Sequence, residues 1–184
     1  MEEEPKKINI IGTVNRYKIK NLTNNYKKES KKRIDSEKWT FSEEHYTYSS
    51  QLNMLQDISN NNFTYIDEVS KIAIHQINKK INGYKQQDNI KKLFNKDKFL
   101  TFKSIIIKMN ECKLKCRYCK NEMNILYDIS REMTQWSVDR IDNDDGHNID
   151  NFHLACLDCN LKRRRRSDDK FLFTKQLNIV KQDN

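Results

Sequence analysis

Glycine is scarce in this chain, three residues in 184, and proline occurs once. With so few turn-forming residues, the usual punctuation between elements is missing, and boundaries must be read from periodicity instead. Apolar residues are also few, at 36% against 33% charged, which excludes a large hydrophobic core. No apolar run is long enough to span a bilayer. The N-terminal stretch MEEEPKKINI lacks the apolar segment of a secretion signal. No internal repeat is present. These absences predict a soluble intracellular protein, in cytoplasm or nucleus, with one compact domain or a small domain plus an extension.

Acidic residues are outnumbered, 26 against 35 Lys and Arg, which leaves a formal charge of +9 and a pI near 9.2. That excess points to a polyanionic partner, nucleic acid or an acidic membrane surface, with a merely lysine-rich surface as the plain alternative. The five cysteines of an intracellular chain argue for metal or catalysis rather than disulfides.

Residues 1–60 are polar with scattered aromatics (Tyr17, Tyr26, Trp39, Phe41, Tyr46, Tyr48) and no dominant period. They predict a partly ordered extension, with 21–33 as a solvated linker or basic arm. Residues 61–100 read as helical. Ile66, Val69, Ala73 and Ile77 form a stripe that predicts a helix over 65–82, capped by Thr64 and ended by Gly83. A second, shorter helix fits within 83–99, and His75 reads as an ordinary helical histidine. Residues 101–184 carry the motifs. Thr101 caps a helix whose Phe102, Ile105, Ile106 and Met109 share one face.

CRYC (116–119) and CLDC (156–159) are paired C-x2-C knuckles. Each spacing lets a tight turn aim two sulfurs at one ion, so Cys116, Cys119, Cys156 and Cys159 predict a tetrahedral zinc site. An iron–sulfur cluster is the weaker alternative. Cys112 is either a packed thiol or a substitute for Cys116 in another register. The metal would staple a long loop, which a small core needs. Between the knuckles, 135–141 and 151–156 read as strands joined by a polar turn, and NLKRRRRS opens a helix. The expected fold is α+β: a mainly helical chain carrying a zinc-stapled ββα core in its C-terminal half. A closing helix over 170–181, with Phe173, Leu177 and Val180 on one face, is expected to pack on the N-terminal helices.

Asp139-Arg140, Gly146-His147, Asn151 and Cys156-x2-Cys159-Asn160, preceded by CRYC, resemble the HNH endonuclease family over roughly residues 101–170. More narrowly, QWSVDRIDNDDGHN followed by CLDCNLKRR looks like a subgroup found in large DNA viruses and phages. The resemblance implies hydrolysis of phosphodiester bonds, those of DNA above all. It implies a catalytic Mg2+ or Mn2+ bound by Asp139 and Asn160, with Asn151 bracing the loop. The family usually places a general-base histidine where this chain has Arg140. A guanidinium cannot take a proton near neutral pH, but it can clamp a phosphate. The base role then falls to His147, in the turn, or His153, on the second strand, or no side chain fills it and the metal alone activates the water. Lys162, Arg163, Arg164, Arg165 and Arg166 form a cationic collar suited to phosphates rather than base edges. Two other readings stand beside the nuclease: a zinc module that binds nucleic acid without cutting it, and a protein-interaction domain.

Overall fold

The computed structural model describes residues 30–60 and 67–177. Among them, five α-helices accompany one antiparallel hairpin. The helices are α1 (Tyr48–Ser59), α2 (Glu68–Lys91), α3 (Phe102–Glu111), α4 (Leu157–Arg163) and α5 (Asp168–Gln176). The strands are β1 (Trp136–Arg140) and β2 (Phe152–Cys156). The fold is therefore mixed α+β, and no helix is long and apolar enough to cross a membrane. The segments read as an extension, a helical region and a C-terminal domain share one core, in which Leu55, Ile77, Ile105, Leu126 and Trp136 are all fully buried.

Of the expected partly ordered extension, the described residues 30–60 form short elements that dock on the core. Thr47 caps α1 by accepting from the Ser50 N–H, and Gln51, Met54, Leu55 and Ile58 make a buried i, i+3, i+4, i+7 stripe. A glutamine in that stripe hides it from a reading by hydrophobicity. Inside, Gln51 is satisfied on both sides: its Oε1 accepts from the Ile125 and Leu126 N–H groups at 2.6 and 2.9 Å, and its Nε2 donates to the Tyr46 and Leu126 carbonyls at 3.1 and 3.3 Å. Four bonds remove the cost of burying the amide. The basic arm expected over 21–33 lies almost wholly outside the described residues.

Gly83 does not end the second helix. α2 starts on Asp67, whose carboxylate accepts from the Ser70 N–H at 2.7 Å, and continues unbroken to Lys91. It closes at Lys92 in the left-handed conformation, φ 58°. The short helix expected over 83–99 is the second half of α2; Thr64 and Ile66 lie outside the described residues. A single helical glycine costs only about 1 kcal/mol against alanine, and tertiary anchors in the next turns of the helix offset it. Tyr84 and Asp88, one turn apart, both hold the hairpin.

α3 forms as its sequence predicts. Thr101 and Ser104 make a reciprocal capping box, and Ile105, Ile106 and Met109 are buried. In the hairpin, Trp136 faces Cys156, Val138 faces Leu154, and Asp139 faces His153. Residues directly opposite share a face. Trp136, Val138, Leu154 and Phe152 therefore point into the apolar core, while Ser137, Asp139 and His153 occupy the other face. α5 covers a different surface from the one expected. Phe173 and Leu177 are exposed, Val180 lies outside the described residues, and the buried residue is Phe171, edge-on to Tyr118 of the first knuckle at 4.8 Å.

Candidate metal centre and the polar face of the hairpin

The four cysteines converge. Cys116 and Cys119 come from the turn after α3, Cys156 ends β2, and Cys159 lies in the first turn of α4. Their sulfurs all lie within 4.8 Å of one another, with Cys119 and Cys156 Sγ 3.8 Å apart. Sulfurs at tetrahedral corners around zinc, each about 2.3 Å from it, stand roughly 3.8 Å apart. The donor set and its size fit a metal ion such as zinc. The hydrogen bond from Cys156 draws the Cys116 thiol down to about 5, and the same contact pushes Cys156 up. Burial raises Cys159 to about 12. Sulfurs this close cannot all ionise unaided, and a bound dication is what allows it. Cys112 is outside the cage: its Sγ donates to the Met109 carbonyl at 3.5 Å, the packed-thiol alternative.

Asp139 is the centre of the polar face, and it is not an open ligand. Its Oδ2 accepts from Tyr118 Oη at 2.5 Å and its Oδ1 from Arg163 Nη1 at 2.8 Å, with the side chain 3% exposed. Burial pushes its carboxyl up, against the pull of Tyr118 and Arg163. Tyr118 Oη also lies 2.6 Å from Oδ1 of Asp168. The phenol thereby bridges the two carboxyl groups. Asn160, expected to share an ion with Asp139, instead staples α4 to β1: its Nδ2 donates to Ser137 Oγ at 3.1 Å and to the Val138 carbonyl at 3.0 Å. The two residues sit on neighbouring parts of the hairpin face, but Tyr118 and Arg163 fill the carboxylate. As arranged, Asp139 and Asn160 do not fit Mg2+ or Mn2+, which need accessible hard oxygens.

Arg163 requires a correction. Read as part of the phosphate collar, it is fully buried and donates to Asp139 and to the carbonyls of Arg140 and Ile141, each at 2.8 Å. Of the five cations only Lys162 and Arg163 lie on α4, which ends at Arg163; Arg164–Arg166 follow it, and Arg163, on the helix's inward face, meets the only carboxylate of β1. Lys162, Arg164, Arg165 and Arg166 remain exposed. Lys162 and Arg165 hold surface pairs with Asp158 and Asp144 at 2.7 and 2.5 Å, which bulk water makes weak.

The two candidate bases part company. His147, expected to swing from the turn toward a phosphate, is 5% exposed and fixed to α2. Its Nδ1 lies 2.6 Å from Asp88 Oδ1, its backbone N–H donates to Asp88 Oδ2 at 2.7 Å, and its ring stacks on Tyr84 at 4.7 Å. It is a brace. His153 stands opposite Asp139 with its side chain 22% exposed, and its Nε2 lies 3.4 Å from Asp168 Oδ2. Burial lowers both imidazoles below their ordinary value. Asn151 is likewise a brace, accepting from the Asp142 N–H and donating to the Asp142 and Gly146 carbonyls at 2.8–3.0 Å. Arg140 Nη1 donates to the Asp145 carbonyl at 2.7 Å, along the edge of the same loop.

Sequence reasoning missed Tyr118, Asp168, Arg117 and Asp88. Asp168 reads as an N-terminal acidic residue on a helix, and Asp88 as one of many polar residues after a glycine. Only the fold carries them to the hairpin. Arg117 and Tyr118, between the cysteines of the first knuckle, are the two with a usable signal, because the knuckle fixes where that short turn sits. Comparison of the chain with family models, with characterised proteins and with solved structures finds no match.

Proposed function

We propose that this chain is an HNH-type endonuclease acting on nucleic-acid phosphodiesters, DNA above all, from a zinc-stapled ββα core, with His153 rather than His147 as its general base. One observation carries the reading: strand register sets His153 opposite Asp139, and Asp168 orients its ring, on the face the zinc knuckles frame. A base oriented by a carboxylate is the recurring arrangement for activating a nucleophile. The imidazole, lowered by burial, is neutral at pH 7 and ready to accept a proton. Water attacks phosphorus, its proton passes to His153, and the P–O bond to the leaving sugar oxygen breaks as that oxygen takes a proton from solvent water. Arg117, 3.7 Å from Asp168 Oδ2, supplies a guanidinium for the developing charge. Zinc, held by the four cysteines, is structural.

The second reading, a zinc module that binds nucleic acid without cutting it, is favoured by the buried Asp139–Arg163 pair, which makes a would-be metal ligand structural. Plasmid nicking by the zinc-loaded chain, with and without Mg2+ or Mn2+, separates the two. Hydrolysis predicts cutting that falls about 100-fold or more in His153→Ala and survives in a folded His147→Gln variant. A parent chain that binds DNA and cuts it under none of these conditions establishes the second reading.

A further inference from the structure

Beside the zinc cage, between α3 and the first knuckle, is a hollow of about 390 Å³ whose lining includes Lys108, Glu111, Lys115, Arg117, Lys120 and His153. Its single carboxylate is already occupied, since Glu111 pairs with Lys108 at 3.3 Å. Among the described residues no acidic side chain pairs with Lys115 or Lys120, and both are exposed. A second hollow, about 450 Å³, shares Lys115 and Lys120 and adds Asn121, Thr134 and one carboxylate, Glu122. Arg117 Nε is a buried donor with no partner. Such groups are rare in folded chains and mark a place where an acceptor belongs.

We propose that these two hollows, joined over Lys115 and Lys120, form a track for the phosphates of a nucleic-acid strand. It is separate from the cationic run that straddles the end of α4, and it leads the strand to His153, which lines the first hollow. The choice of substrate class rests on the nucleic-acid reading above; the track itself rests on the excess of lysine and arginine over carboxylates in the two linings. A chain-like polyanion can bridge two hollows across a shared ridge, as a single small anion cannot. Both volumes lie in the range that holds a ligand of nucleotide size. Phosphate contacts of this kind position a strand without reading its bases.

The test uses the full zinc-loaded chain and a labelled single-stranded oligonucleotide, with affinity measured by anisotropy across a salt series. Two variants are compared: Lys115→Gln with Lys120→Gln, and Arg164→Gln with Arg165→Gln. All four side chains are exposed, so zinc content and circular dichroism should match the parent. The track predicts that the lysine pair weakens binding roughly tenfold and lowers the log–log salt slope by about 1.4, at about 0.7 for each phosphate of a single strand that is no longer neutralised. Equal affinity and an unchanged slope in that variant would overturn the proposal. So would parent chains that ignore the oligonucleotide yet bind phosphatidylserine vesicles through the same lysines. Absence of cleavage alone, with binding and slope intact in the parent, would sink hydrolysis and leave the track standing.

Discussion

The molecule holds two histidine–aspartate pairs of similar chemistry in different settings. His147 and Asp88 are 5% and 0% exposed and 2.6 Å apart, while His153 and Asp168 are 22% and 9% exposed and 3.4 Å apart. Burial is the leading cause of the lowered basicity in both rings. The difference lies in what else holds each ring. His147 is fixed by a ring bond, by a backbone bond to the same carboxylate and by stacking on Tyr84. His153 has one longer contact and opens on a basic hollow. Nearness to a motif therefore says little about role; an accessible lone pair on a positioned ring says more.

Zinc removal should have the largest effect on this contrast, because both pairs hang from the stapled hairpin. Chelation, or Cys156→Ser, is expected to cost on the order of 10 kcal/mol of metal-linked folding energy. It should collapse both histidine signals in NMR to a single unfolded-like position. Next in size is Asp88→Ala, which leaves the buried His147 groups unpartnered and should cost about 3 kcal/mol in urea unfolding. Asp168→Ala should cost visibly less, and equal losses would erase the distinction between the pairs. Gly146→Ala tests the loop side alone. An added Cβ would lie 2.5 Å from the Leu93 carbonyl oxygen, so a loss of about 2 kcal/mol is expected, with His153 unaffected.

Acidity sharpens the comparison more gently. Both imidazoles have folded pKa values below the unfolded value of about 6.5. Below that pH the unfolded chain takes up protons first, so their contribution is full above about pH 6.5 and is lost as pH falls toward the folded values. Unfolding free energy between about pH 7 and 5 should therefore drop in the parent and drop less in His147→Gln. Smallest of all is Arg165→Ala, which breaks only an exposed pair and should change stability by less than about 0.5 kcal/mol.

Legibility in the sequence tracks local spacing. The paired knuckles, the Thr101 cap and the two strands all depend on residues close together along the chain, whereas the bracing role of Asn151 is expected only from the family resemblance. α1 is hidden because a buried glutamine occupies its apolar stripe. The length of α2 is hidden because a glycine reads as a stop, although tertiary contacts from Tyr84 and Asp88 outweigh its small local penalty. The buried role of Arg163 is hidden by its neighbours, since a run of cations gives no hint of which one turns inward. The same holds for Asp168, whose partners His153 and Arg117 are distant along the chain. The polar face is legible only in part: the motif names Asp139 and Asn160, but their partners Tyr118, Arg163 and Ser137, although in the same stretches, are paired with them only by the fold.

Gly83 also bears on how the hairpin loop breathes. It lies one residue ahead of the clamp that Tyr84 and Asp88 form on β1 and His147, and a methyl group added there would meet no atom within 4 Å. Transient fraying of α2 should start at this point and release the loop each time, so amide hydrogens at His147 and Asn148 should exchange at a rate set by a helix remote in sequence. Gly83→Ala, which fits the space and favours the helix by about 1 kcal/mol, should slow that exchange several-fold.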